Sequence, residues 1–107
     1  GMCRELYAAG GVFKKELDRC EGLLATELDV KLTEILYGTD QQLVHRTKYT
    51  QPVLFAVGWA LLALVRSWGV EPAVLLGHSV GEYVAAVAGG VMALGDAIRL
   101  VALRGRL

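Results

Sequence analysis

The sequence predicts an α/β fold, mainly helical, organised about one strand–turn–helix unit, and three observations carry that prediction. Residues 73–76 are four apolar residues in a row after Pro72, the pattern of a strand buried on both faces of a parallel sheet. Gly77-His78-Ser79-Val80-Gly81 follows at once, with Ala-rich, helix-compatible sequence over 82–88, which is the pattern of a nucleophile elbow. Elsewhere apolar residues recur at three- and four-residue steps, so the remainder reads as helix. A lone strand cannot satisfy its own backbone groups. The chain is therefore expected to be a slice of a larger α/β domain.

Taken in order, residues 3–9 form a short helical start that ends at Gly10-Gly11. From Val12, the positions Phe13, Leu17, Cys20, Leu24 and Leu28 make one apolar stripe, with Lys14, Lys15, Glu16, Asp18 and Arg19 between them, and so predict an amphipathic helix. Asp29 is the candidate cap of a third helix through Leu32, Ile35 and Leu36 that closes at Gly38. Residues 39–48 are polar and read as a loop. A long helix is expected to open at Thr50-Gln51-Pro52, with Thr50 or Gln51 as cap and Pro52 in the first turn, where its missing N–H costs nothing. It runs to Trp68, stops at Gly69 and is apolar on nearly every face, which marks a buried helix. After the elbow helix ends at Gly89-Gly90, a last helix begins near Leu94 with Asp96 in its first turn, where a carboxylate suits the helix dipole.

Composition narrows the function classes. Eleven Lys and Arg balance eleven Asp and Glu in 107 residues, so no net field points to nucleic acid or an anionic membrane. The hydrophobic share is 54% and the mean hydropathy +0.44, rich for so short a chain, and part of its surface is expected to be covered by further chain. The longest apolar run, residues 53–65 counting Gly58, falls short of the ~18 that suggest a membrane span. No signal-peptide pattern opens the sequence. Cys3 and Cys20 have no metal-type spacing and read as reduced thiols of a cytoplasmic protein.

The chemistry concentrates at Ser79. A sharp strand-to-helix turn would bring a side chain at −2 or +2 against the backbone, and Gly at 77 and 81 removes that clash. Ser79 then projects its Oγ beside a helix N-terminus, whose unpaired N–H groups favour developing negative charge. His78 is adjacent, but successive residues around a tight turn diverge, so it reads as a structural group behind the nucleophile rather than its base. His45 falls in the polar loop and reads as solvated, and Glu82 as a capping or ion-pair residue. No His follows Ser79, so this sequence alone completes no catalytic dyad or triad. In the last helix, at about 100° per residue, Val101, Leu94, Leu100 and Arg104 all fall within about 60° of Ala97, whereas Arg99 and Arg106 face the other way. A guanidinium in an apolar face needs an anion or carboxylate. An internal salt bridge with Glu82, or snorkelling past Gly105, would also satisfy it.

These residues together resemble the acyltransferase domain of modular polyketide synthases and its relative, the malonyl-CoA:acyl carrier protein transacylase of fatty-acid synthesis. The likeness covers essentially the whole chain. It rests on Gly1-Met2-x-Arg4-Glu5-Leu6-Tyr7, Thr50-Gln51-Pro52-Val53-Leu54-Phe55, Trp68-Gly69-Val70-Glu71-Pro72, Gly77-His78-Ser79-Val80-Gly81-Glu82-Tyr83 and Arg104-Gly105. The resemblance implies that residues 1–107 are part of the large subdomain of an α/β-hydrolase-like acyltransferase domain, internal to a larger synthase. It implies that Ser79 carries the acyl group, that the Val80 N–H forms part of the oxyanion hole, and that Arg104 pairs with the free carboxylate of a malonyl-type substrate.

By the same resemblance, a Gln-containing segment expected before Gly1 supplies the second oxyanion contact. The catalytic His and a smaller subdomain are expected after Leu107, so the fragment alone is expected to be inactive. Val80 and the run Thr47-Lys48-Tyr49-Thr50-Gln51 go with malonyl rather than methylmalonyl units. The implied partners are malonyl-CoA, an acyl carrier protein bearing phosphopantetheine, and neighbouring synthase domains such as the ketosynthase, with no nucleic acid or membrane. Transfer from thioester to ester to thioester implies no bound cofactor and no metal. Two alternatives stay open at this point: a serine esterase or thioesterase on the same elbow, and a non-catalytic structural piece.

Overall fold

The computed structural model describes residues 3–40, 42–69, 83–84, 87–88, 90 and 92–106. Among them every regular element is helical: α1 (Arg4–Ala8), α2 (Gly11–Leu24), α3 (Leu32–Tyr37), a 3-10 turn (Leu43–His45), α4 (Thr47–Ser67) and α5 (Leu94–Arg106). Tyr83, Val84, Val87 and Ala88 are helical as well. The strand expected at 73–76 and the elbow at 77–81 lie outside the described residues.

The architecture follows from the helix faces. α4 lies between α2 and α5, and α2 also touches α5 and carries α1 and α3 at its ends. The stripe expected on α2 is the buried one, with Phe13, Leu17, Cys20 and Leu24 all 2% exposed or less. Val53, Ala56, Val57 and Ala60 form one buried row of α4 at three- and four-residue steps, and Phe55 and Leu62 belong to a second. Two buried rows are what a helix packed on more than one side requires. Each fully buried Leu, Val or Phe in this cluster contributes about 1.5–3 kcal/mol relative to exposure. By length and hydropathy alone Lys48–Ser67, 20 residues with mean hydropathy 1.3, would also suit a membrane span. Here it is the central core helix.

Four boundaries differ from the sequence expectation, each for a local reason. α2 ends at Leu24 rather than continuing to Leu28, because Ala25 turns its N–H back to Gly22 O and the chain enters a turn. Asp29 does not cap α3. The residue preceding that helix is Lys31, and Glu21 on α2 accepts the Thr33 N–H at 2.8 Å, so the cap comes from a neighbouring helix. The stretch 39–48 is not all loop. It contains the 3-10 turn, and α4 starts at Thr47, with Arg46 O accepting the Tyr49 and Thr50 N–H groups. Thr50 and Gln51 are therefore helical rather than caps, and Pro52 sits inside α4. Pro has no N–H to offer Lys48 O. The Thr50 hydroxyl ties the same end of the helix by donating to Val44 O at 2.8 Å and Arg46 O at 3.0 Å.

Among the described residues positive φ falls at element ends: Cys3 at 56° before α1, Gly10 and Gly11 both at 76° where α1 passes into α2, Gly69 at 81° where α4 stops, and Gly90 at 78°. Both cysteines are free, and burial pushes the Cys20 thiol up to about 12.

Candidate functional site

Of the described residues that follow Ser79 in the chain, Tyr83 and Val84 come first. A Cβ placed on Gly58 would lie 3.6 Å from Val84 Cγ2, in ordinary van der Waals contact. Arg66 Nη2 donates to Ala88 O at 3.4 Å. Val84 thus lies against α4 at Gly58, and Ala88 within reach of the Arg66 side chain. The nucleophile candidate Ser79, its neighbour His78, Val80 and Glu82 lie outside the described residues.

Arg104 is placed by α5, and its setting differs from the wheel expectation. The buried arc of α5 is Leu94, Ala97, Ile98, Val101 and Ala102, displaced toward Ile98 and Ala102 from the arc centred on Ala97. Arg104 therefore sits at the edge of that arc and is exposed, beside Leu100 and Leu103 at 41% and 48% exposure. No hydrogen bond or ion pair holds it among the described residues. Arg99 pairs with Asp96 on the same helix.

The Thr47–Gln51 run turns out to be structural at most of its positions. Tyr49 is 2% exposed and donates its hydroxyl to Asp29. Lys48 Nζ reaches the other Asp29 oxygen at 3.2 Å and stands 5.1 Å from the Tyr49 ring centroid. The Tyr49 hydroxyl first, and then Lys48, holds the Asp29 carboxyl below its usual range, and the same bond to Asp29 raises the Tyr49 phenol. Gln51 is the exception. Its Oε1 is buried and has no hydrogen-bond partner. From the sequence Gln51 is expected as a cap and as the last residue of the run that goes with malonyl units; neither expectation shows that its side-chain oxygen is buried. His45 is exposed, as expected of a solvated side chain.

No group of three or more metal-ligating side chains occurs among the described residues. A cavity bordered by Asp18, Glu21, Asp29 and Lys31 lies at the far end of α2. Its carboxylates serve structure: Asp18 accepts from Tyr7 at 2.6 Å and Lys14 at 2.6 Å, and Glu21 caps α3.

Comparison with solved structures places this frame among acyltransferases. The chain superposes with a TM-score of 0.89 on a loading acyltransferase from the avermectin modular polyketide synthase, at 40% identity over 98% of this chain and 33% of that one. On the acyltransferase domain from the second module of the salinomycin polyketide synthase the TM-score is 0.86, at 45% identity over 99% of this chain and 25% of that one. In sequence it is 49% identical over 111 residues to the spectinabilin polyketide synthase system protein NorB of Streptomyces orinoci, and 45% identical over 107 residues to erythronolide synthase EryA3 of Saccharopolyspora erythraea. It spans 5% and 3% of those two proteins. The acyl transferase domain family matches residues 1–107, and the chain belongs to that family.

Proposed function

We propose that residues 1–107 contribute the nucleophile, one oxyanion contact and the carboxylate-binding arginine of an acyltransferase. That enzyme moves a malonyl-type group from CoA to the phosphopantetheine thiol of an acyl carrier protein. The observation that carries this reading is the run Gly77-His78-Ser79-Val80-Gly81-Glu82 inside a chain matched from end to end by the acyl transferase domain family. The esterase, thioesterase and purely structural readings have no comparable support.

In this reading Ser79 Oγ attacks the thioester carbonyl carbon while a His supplied by another part of the domain takes the hydroxyl proton. The tetrahedral oxyanion is held by the Val80 N–H and by a Gln segment elsewhere in the domain. The C–S bond breaks, CoA leaves as the thiol with that proton, and the acyl group remains as a Ser79 ester. The carrier's thiol then attacks the ester, and Ser79 recovers its hydrogen through the same His. Sulfur and oxygen exchange an acyl group with no change of oxidation state, so the chemistry calls for no redox group. Arg104 holds the substrate's free carboxylate, and its exposure on α5, with no partner among the described residues, supports that role. The strand at 73–76 would belong to an α/β-hydrolase-like core, and the domain would work in the cytoplasm beside other synthase domains, the ketosynthase among them.

The test is to incubate the intact domain with labelled malonyl-CoA and locate the adduct by mass spectrometry. A malonyl adduct on the Ser79 peptide that is lost in Ser79→Ala and chased by carrier protein is expected; release of free malonate instead would make the protein a thioesterase. Val80 beside the nucleophile predicts a partial preference for malonyl over methylmalonyl, since a single methyl is worth about 1–3 kcal/mol in an apolar pocket.

A further inference from the structure

We propose that α1 is a hinged strap that opens as a unit about Gly10 while the core of α2, α4 and α5 stays folded, with Asp18 as its catch. None of the five residues of α1 is buried, whereas α3, with six, buries Leu32, Ile35 and Leu36. Partly buried Leu6 and Tyr7 give α1 its apolar contact with the core. The rest of its hold comes from polar and aromatic contacts near the surface. Tyr7 Oη donates to Asp18 Oδ1 at 2.6 Å. Lys14 Nζ donates to the other Asp18 oxygen at 2.6 Å and lies 5.1 Å from the Tyr7 ring centroid. On its other side the Tyr7 ring meets the Tyr37 ring, with centroids 5.2 Å apart and planes at 39°. Arg4 stands 5.6 Å from the Tyr37 centroid and its Nη2 donates to Tyr37 O at 3.4 Å. Tyr7 thus links α1 to α2 through Asp18 and to α3 through Tyr37. Contacts between half-exposed groups are individually weak, and a segment held by them opens at less cost than the core does.

The backbone marks both ends of this unit. Cys3, just before α1, is left-handed at φ 56° and ψ 31°, a conformation that a residue other than glycine keeps only where its surroundings enforce it. Gly10, just after it, lies at φ 76° and ψ −154°, a region that glycine alone enters freely. A Cβ at Gly10 would meet nothing within 4 Å, so the backbone conformation, and not a lack of space, calls for glycine there. The closed strap therefore requires special backbone on either side. Once the catch is released, Cys3 is free to leave its strained conformation, and rotation at Gly10 lets α1 move without unwinding α2.

The experiment is amide hydrogen exchange on the intact domain, read by mass spectrometry on peptides covering residues 3–10 and 13–24. The first peptide holds the Tyr7, Ala9 and Gly10 amides, which donate to Cys3 O, Glu5 O and Tyr7 O; the second holds the buried stripe of α2. Wild type is compared with Tyr7→Phe and Asp18→Asn, which weaken the catch, and with Gly10→Ala, which removes no contact but disfavours the closed backbone. In wild type the first peptide should be protected relative to an unstructured chain yet exchange at least about tenfold faster than the second. Each variant should speed the first peptide by about fivefold, the value of one net hydrogen bond, and leave the second within about twofold. Alkylation of Cys3 should quicken in parallel. Equal protection of the two peptides in wild type, or variants that speed both together, would make α1 part of the core and overturn the proposal. So would a first peptide already exchanging like an unstructured chain, or one that no variant speeds. Should Tyr7→Phe fail to fold, Gly10→Ala decides by the same comparison.

Discussion

Tyr49 in the first turn of α4 donates its hydroxyl to Asp29 in the connection ahead of α3, and so binds the start of the central helix to a segment 20 residues earlier in the chain. Its ring is buried and its hydroxyl engaged, so this aromatic of the Thr-x-aromatic-Thr-Gln run holds the scaffold. Tyr49→Phe is expected to cost about 1 kcal/mol of stability while leaving the malonyl-to-methylmalonyl ratio within about twofold, or about 0.4 kcal/mol. Chemical unfolding and a competition assay on the two CoA esters check both halves.

The same pair sets a pH dependence. The Asp29 carboxyl is held below its ordinary value by Tyr49 and then Lys48, so its contribution is present above the unfolded carboxylate range and lost as pH falls through the lowered folded value. The Tyr49 phenol is raised above 10.0, chiefly by its bond to Asp29, so that contribution is present below the unfolded value and lost only as pH rises through the raised one. The stability gap between wild type and Tyr49→Phe should be wide at neutral pH and close as acid protonates Asp29. A gap that stays constant from pH 7 to pH 2 would contradict this assignment.

Cys20 is 0% exposed, and burial lifts its thiol to about 12. The thiolate is the reactive form, so an alkylating reagent at pH 8 should leave Cys20 untouched in the folded domain while labelling the half-buried Cys3. Peptide mass spectrometry before and after adding denaturant reads the difference, and early labelling of Cys20 would place α2 elsewhere than in the core.

Gly58 has room for one carbon. A methyl there makes ordinary contact with Val84 and removes the conformational cost of a mid-helix glycine, so Gly58→Ala should gain up to about 1 kcal/mol. Gly58→Leu should lose about 1–3 kcal/mol by overpacking and slow Ser79 acylation by pushing Val84 away from α4. Thermal midpoints and single-turnover rates of the two variants measure both effects.

Arg104→Ala should lower malonyl loading by roughly 10- to 100-fold, the value of about 1.5–3 kcal/mol for charged hydrogen bonds, and leave acetyl loading nearly unchanged. Arg104→Lys should recover only part, because an ammonium lacks the planar fork. Equal losses with labelled malonyl-CoA and acetyl-CoA would remove the carboxylate role.

The helices were legible where side-chain period decides them. The α2 stripe from Phe13 to Leu24, the end of α4 just before Gly69 and the start of α5 near Leu94 stand where the sequence put them, whereas α4 begins three residues before the expected Thr50. What the sequence did not reveal depended on contacts distant along the chain. Asp29 looks like a cap until Tyr49 reaches it, and Glu21 caps α3 from another helix. The wheel placed Arg104 near the apolar face but not which side of that face α4 would cover. Gln51 was hidden because an unsatisfied oxygen is defined by its surroundings, and a one-dimensional pattern carries none.

Trp59 donates its indole N–H to Glu16 on α2 at 2.9 Å, whereas Trp68 at the end of α4 is 68% exposed. Of the chain's two tryptophans, Trp59 is therefore partly buried and tied to α2 while Trp68 is largely in solvent. Replacing Trp68 by Phe leaves Trp59 as an intrinsic emitter whose fluorescence should shift to the red when α2 and α4 separate. That shift would let stopped-flow mixing time the closure of this helix pair without an added dye.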